Sequence, residues 1–115
     1  LENGVGGSYP GDGRFPQISG FKFSFDTTKP VGSRVQSVTK ADGTAIAKDS
    51  KEYTIAVPDF MIYGGDGYVG VFTPSKAKLR GLLVDVFIEA VQEATAGGKA
   101  IQIPALDGRI TKVNP

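Results

Sequence analysis

The chain has no cysteine and no histidine. Without thiols there is no disulfide, no thiolate zinc site and no cysteine nucleophile. Without imidazole there is no Ser-His-Asp triad, no HExxH zinc helix and no histidine-ligated metal centre. The commonest general base near neutral pH is missing as well, which leaves only a carboxylate mechanism open. No run of 18 apolar residues occurs, so no membrane-spanning helix is expected. No charged-then-apolar stretch opens the sequence, so no signal peptide is expected within it. An excess of one charge is also lacking. Thirteen Lys+Arg against 12 Asp+Glu leave a net charge of +1, which argues against DNA or RNA held mainly by phosphate contacts. The single methionine is Met61, so we expect a processed product or a piece of something longer.

What is present suits one globular domain over residues 1–115. Forty per cent of the residues are hydrophobic, too many for a disordered chain. A chain of this size buries roughly two thirds of its unfolded surface, enough to fold alone. The 16 glycines and 7 prolines imply many turns and short strands. Leu1-Glu2-Asn3-Gly4 reads as the last turn of a helix ending in an Asn-Gly cap. Residues 4–16 read as a loop.

Phe21, Phe23 and Phe25 alternate with Lys22, Ser24 and Asp26, the period-two pattern of a strand with one apolar face. Residues 27–32 turn around Lys29-Pro30, and residues 34–40 form a second strand. Asp42-Gly43 is a tight-turn signal that pairs this strand with the short run 44–47. Tyr53, Ile55 and Val57 share one face of a further, interior strand stopped by Pro58. Leu79, Leu82, Leu83, Val86, Phe87, Ala90, Val91 and Ala94 form one continuous helical stripe. Thr73-Pro74 suits the start of that helix and Gly97-Gly98 its stop, while Gly81 weakens its first turn. Asp107-Gly108 is a turn before a last strand over 109–113. The expected fold is α+β, mainly antiparallel strands with a long amphipathic helix packed on one face.

Several residues could carry chemistry. Gly64-Gly65-Asp66-Gly67 permits positive φ and close backbone approach, and Asp66 could accept hydrogen bonds from sugar hydroxyls. A plain turn is the bland alternative, since the run matches neither a P-loop nor a dinucleotide fingerprint. Phe15 and Phe60 lie on loops outside any periodic stripe, where an aromatic ring can stack on a flat ligand or fill the core beneath its loop. Asp59 and Asp66 could pair as carboxylates, but no third metal ligand is evident. Lys76, Lys78 and Arg80 cluster at the expected helix start, the unfavourable end for cations, and read as a solvated face.

Taken together these segments resemble the C-terminal domain of the 5'-nucleotidase family. Gly13-Arg14-Phe15-Pro16-Gln17-Ile18-Ser19-Gly20 is similar to its G-x-F-x-Q-V-x-G segment. Residues 29–35 are similar to its K-P-x-G-x-R-V segment. Residues 53–68 are similar to its Y-x-V…F…G-G-D-G-[FY] segment, and Asp107-Gly108-Arg109-Ile110 to its terminal D-G-R-I. The resemblance implies a substrate-specificity domain that sandwiches a nucleotide base between Phe15 and Phe60 and holds the ribose through Asp66, with Gly65 beside it. Pro58 stands where bacterial-type members often carry Asn. The family's phosphate- and base-contacting Arg and Asn residues upstream of these segments are absent, as are its metal ligands. The chain is therefore expected to be the later part of such a domain and inactive alone. The two divalent metals would belong to a missing N-terminal metallophosphoesterase domain, the ligand would be a nucleotide or nucleoside, and the location secreted, periplasmic or at the cell surface. The alternative is a stand-alone binding or interaction domain.

Overall fold

Phe21–Phe25 form strand β1, and the alternation is read out directly: Phe23 and Phe25 are 2% and 1% exposed while Lys22 faces solvent. The computed structural model describes residues 1–7 and 11–114. Of the loop expected over 4–16, residues 8–10 lie outside the described part, as does residue 115. Strand β2, Val35–Lys40, pairs antiparallel with β1. A bulge between Ser24 and Phe25 leaves Gln36 without an opposite residue, because Ser24 faces Ser37 and Phe25 faces Val35. Strand β3, Ile110–Lys112, pairs parallel with the other edge of β1, giving the order β2-β1-β3. The sheet is thus mixed rather than mainly antiparallel, because β1 is sandwiched between a hairpin neighbour and a strand that returns from far along the chain.

Helix α1, Glu2–Val5, closes the core from behind. Val5 is fully buried with Phe23 and Phe25, and Leu1, Phe15, Ile18, Val35 and Ile110 pack around them. The Glu2 carboxylate accepts hydrogen bonds from the backbone N–H groups of Arg34 (3.0 Å) and Val35 (2.8 Å), which fastens α1 to the entry of β2. Arg34 returns the tether by donating through Nη1 to the carbonyls of Val5 (2.7 Å) and Gly7 (3.2 Å). The expected Asn-Gly cap is not formed. Asn3 and Gly4 lie inside α1, which ends at Gly6 in a right-handed conformation (φ −76°). Gly4 serves close approach instead, since a Cβ there would collide with the ring of Pro16.

The middle of the chain departs from expectation. The run 44–47 meets β2 through one bridge, Thr39 to Ala45. Residues 53–57 form no strand, and Tyr53 and Ile55 are 45% and 56% exposed. A strand exists only where another backbone completes its ladder, and both edges of β1 are already taken. After the short helix α2, Asp59–Ile62, come 3-10 turns at Gly65–Gly67 and Pro74–Lys76. The amphipathic helix is shorter than expected: α3 spans Leu83–Ala94, so Thr73-Pro74 opens only a 3-10 turn. Gly81 and the cations at 76, 78 and 80 both disfavour helix across the intervening residues. No residue of α3 is buried, so its stripe is not packed on the sheet. The accessible surface is 8846 Å², against about 6,000 Å² for a compact monomer of this mass. The radius of gyration is 16.1 Å, against about 13 Å for a compact chain.

Candidate functional site

Pro58 fixes the entry to α2, with φ −57° and ψ 142° just before the first helical residue. The Asp59 carboxylate accepts from the Phe60 N–H at 2.8 Å, which ties the first turn locally. α2 lasts one turn, and Gly64 reverses the chain in a left-handed conformation (φ 95°). Asp66 also has positive φ (52°), as the sole such non-glycine among the described residues. Asp tolerates this region better than most residues, and the flanking glycines leave its side chain exposed.

Phe60 projects from α2 and is 59% exposed. Its ring lies against the backbone of Gly65, and a Cβ at that position would fall into the ring. Only glycine allows this backing. Phe60, Gly65 and Asp66 therefore form one unit: an exposed ring, its backbone support and an exposed carboxylate.

Phe15 is placed differently. The Asp12–Arg14 turn carries it: Phe15 N donates to the Asp12 carbonyl at 3.0 Å, and Arg14 donates from N and Nε to Asp12 Oδ1 at 3.1 and 3.0 Å. Although it lies outside the strand alternation, its ring packs on Phe25 and Phe23, with centroids 5.6 and 6.5 Å away. Phe15 is thus partly buried and supports the core from its loop.

The residues that join the Phe15 loop to the Asp66 turn were missed in the sequence. Tyr68 is 4% exposed and donates from Oη to the Arg14 carbonyl at 2.9 Å. Burial pushes its phenol above the usual tyrosine range. Asn3 Nδ2 donates to the Asp66 carbonyl at 3.0 Å. The available signal was Tyr68 itself, because a tyrosine directly after a glycine turn that goes inside must find a partner for its hydroxyl.

A family model described as "5'-nucleotidase, C-terminal domain" matches residues 1–73. The chain belongs to the 5'-nucleotidase C-terminal domain family. It is 36% identical over 107 residues to "Protein 5NUC" of Lutzomyia longipalpis, covering 88% of this chain and 18% of that protein. It is 36% identical to "Cell wall protein Lmo0130" of Listeria monocytogenes (76% of this chain, 11% of that protein). It is 34% identical to "Trifunctional nucleotide phosphoesterase protein YfkN" of Bacillus subtilis (98% and 8%). Among solved structures it is similar to a 5'-nucleotidase precursor from Thermus thermophilus, with a TM-score of 0.75 and 30% identity over 100% of this chain and 22% of that one. The chain therefore spans 8–18% of the length of these curated relatives.

In this 5'-nucleotidase C-terminal domain, Phe15, Phe60, Gly65 and Asp66 fall within the matched span, while α3 and β3 lie beyond it. The residues do not fit a divalent metal pair. The sequence has no His or Cys, and among the described residues no three of Asp, Glu, His and Cys come together. No described helix is long and apolar enough to cross a membrane.

Proposed function

We propose that this chain supplies nucleoside-recognising residues to a 5'-nucleotidase-type hydrolase, with the base between the Phe15 and Phe60 rings and the ribose on Asp66. The observation that carries this reading is the Phe60–Gly65–Asp66 unit. An aromatic ring left 59% exposed but supported from beneath by Gly65 is a stacking surface. The adjacent Asp66 carboxylate is exposed, a form that accepts hydrogen bonds from sugar hydroxyls, and its left-handed backbone is the kind of conformation found at ligand clamps. The names of the relatives support the nucleotide class. In this reading the two divalent metals and the phosphoester chemistry belong to an N-terminal metallophosphoesterase domain outside these residues; the sequence has no His, and among the described residues no three of Asp, Glu, His and Cys come together. Such metals would polarise the phosphoryl oxygen and activate water, while this chain selects and orients the nucleoside. A relative named as a cell wall protein and another as a precursor support a secreted, periplasmic or surface location.

The direct test is nucleoside titration of Phe60→Ala and Phe15→Ala with melting temperature measured alongside. Base–aromatic stacking is worth about 1–3 kcal/mol, so Phe60→Ala should weaken binding by roughly one to two decades. Its melting temperature should stay close to wild type, because the ring is exposed. Phe15→Ala should lower both, since that ring also packs on Phe23 and Phe25. Unchanged affinity in Phe60→Ala would overturn the assignment. The chain alone, given a nucleoside monophosphate and Mn²⁺, should release no phosphate above blank. Turnover that survives repurification would place a catalytic site within these residues.

A further inference from the structure

Three short segments, far apart in sequence, close on one another behind the proposed site. α1 brings Asn3 and Gly4, the loop before β1 brings Arg14 and Pro16, and the glycine turn brings Gly67 and Tyr68. Tyr68 Oη donates to the carbonyl of Arg14, the residue before Phe15, at 2.9 Å. Asn3 Nδ2 donates to the carbonyl of Asp66 at 3.0 Å. Two glycines permit the closure. A Cβ on Gly4 would strike Pro16 and lie 3.1 Å from Tyr68 Oη, and a Cβ on Gly67 would meet Asn3 Oδ1 at 3.0 Å.

We propose that Asn3 and Tyr68 are positioning residues that set the Asp66 turn against the Phe15 loop, and so fix the ribose-binding carboxylate relative to the base-stacking ring. This rests on the nucleoside-binding reading above. Both bonds end on backbone carbonyls, so neither one occupies the Phe15 ring or the Asp66 carboxylate. Tyr68 fixes the distance between loop and turn. Asn3, bonded two residues earlier in the turn, fixes its rotation. The need for an anchor is visible in the neighbours of Tyr68: Val69 and Val71 are 80% and 54% exposed, so the turn has little other packing on that side. Tyr68 goes inside there with the Phe72 ring stacked on it, centroids 6.0 Å apart, and its hydroxyl gives the anchoring a direction that a phenyl ring lacks.

The test titrates adenosine and free adenine into the full chain and into Asn3→Ala, Tyr68→Phe and Phe60→Ala, with melting curves for each. A neutral hydrogen bond contributes modestly, so each positioning variant should lose about three- to tenfold in adenosine affinity. Asn3→Ala should weaken adenosine more than adenine, because its bond goes to the Asp66 carbonyl while the Phe60 ring keeps its backing from Gly65. Tyr68→Phe should weaken both ligands, because it releases the Phe15 loop. Neither variant should lose its cooperative melt, and Tyr68→Phe retains the buried ring. If Phe60→Ala loses affinity while Asn3→Ala and Tyr68→Phe bind like wild type, the site stands and the positioning role is overturned. The role is also overturned if both variants bind adenosine and adenine with equal losses that track their melting temperatures. If wild type binds neither ligand, or Phe60→Ala binds as wild type does, the nucleoside reading falls and takes the positioning role with it.

Discussion

The sheet end of the molecule and its helical middle place similar side chains in opposite surroundings. In β1, Phe23 and Phe25 are 2% and 1% exposed; in α3, Leu83 and Phe87 are 71% and 66% exposed. Both segments are amphipathic, and the difference lies in what meets them. β1 has a strand on each edge and α1 behind it, with Val5 filling the centre. α3 meets no comparable surface among the described residues. A helix of this length is marginal in water unless an apolar face is packed. Stability in this chain is therefore unevenly distributed, and α3 belongs to the part that opens at low free energy.

The comparison can be broken most directly by matched truncations. Phe25→Ala removes a ring from the buried centre and should cost about 3–5 kcal/mol. Phe87→Ala removes an exposed ring and should cost under about 0.5 kcal/mol. Denaturant unfolding followed by circular dichroism measures both, and comparable losses would show that α3 is packed in solution. Next in size is Glu2→Ala, which leaves the N–H groups of Arg34 and Val35 without their acceptors. Hydrogen bonds to a charged group are worth about 1.5–3 kcal/mol, and a loss in that range is expected. Glu2→Gln keeps one of the two acceptors and should recover part of it. A neutral Glu2→Ala would mean that α1 does not brace the sheet.

The smallest effect concerns pH. The Arg109 side chain bonds Asp107 and holds its carboxyl down at about 2, below the ordinary 3.8. The Asp26 and Asp42 carboxyls are also lowered, by hydrogen bonds from Thr28 and Thr44. The folded chain binds these protons more weakly than the unfolded chain does. The stabilisation is therefore complete above pH 3.8 and is lost as pH falls toward 2. All three carboxylates are exposed, so the change should be small and weakened by salt. Asp107→Asn should flatten the acid limb at the sheet end. An unaltered limb would show that the Asp107–Arg109 pair, 2.7 Å apart, does not couple to folding.

The parts of the fold legible in the sequence are those set by neighbours in sequence. The Phe21-Phe23-Phe25 alternation, the Asp42-Gly43 turn and the Asp107-Gly108 turn each carry their own local physics. The pairing of β3 with β1 was not legible, because no local pattern records which distant strand will share an edge. The alternation at 53–57 has the same defect in reverse: it describes a face suited to a sheet, not the presence of a neighbour. The stripe at 79–94 likewise says which side of a helix is apolar and nothing of what covers it. At the site, the glycines exposed the Phe60–Asp66 unit. Phe15 was open to two readings, a stacking ring or a core filler, and its packing on Phe23 and Phe25 was not legible because a ring on a loop can reach a core without joining its periodicity. Asn3 and Tyr68 were hidden because their partners are backbone carbonyls, which leave no mark on residue type.

The parallel pairing of β3 with β1 also sets a schedule. Thr27, two residues past β1, bonds Asn114, two residues past β3, and the two are 87 residues apart in sequence. During synthesis β2 is available to β1 once residue 40 has emerged, but Ile110–Lys112 follow roughly 4–14 s later at ordinary elongation rates of about 5–20 residues per second. Throughout that interval β1 has one open edge, and the Phe23–Phe25 cluster lacks the cover of Ile110. An unpaired edge beside apolar rings is a template for association with other chains. β3 therefore both finishes this sheet and closes the edge through which β1 is open to other chains during synthesis.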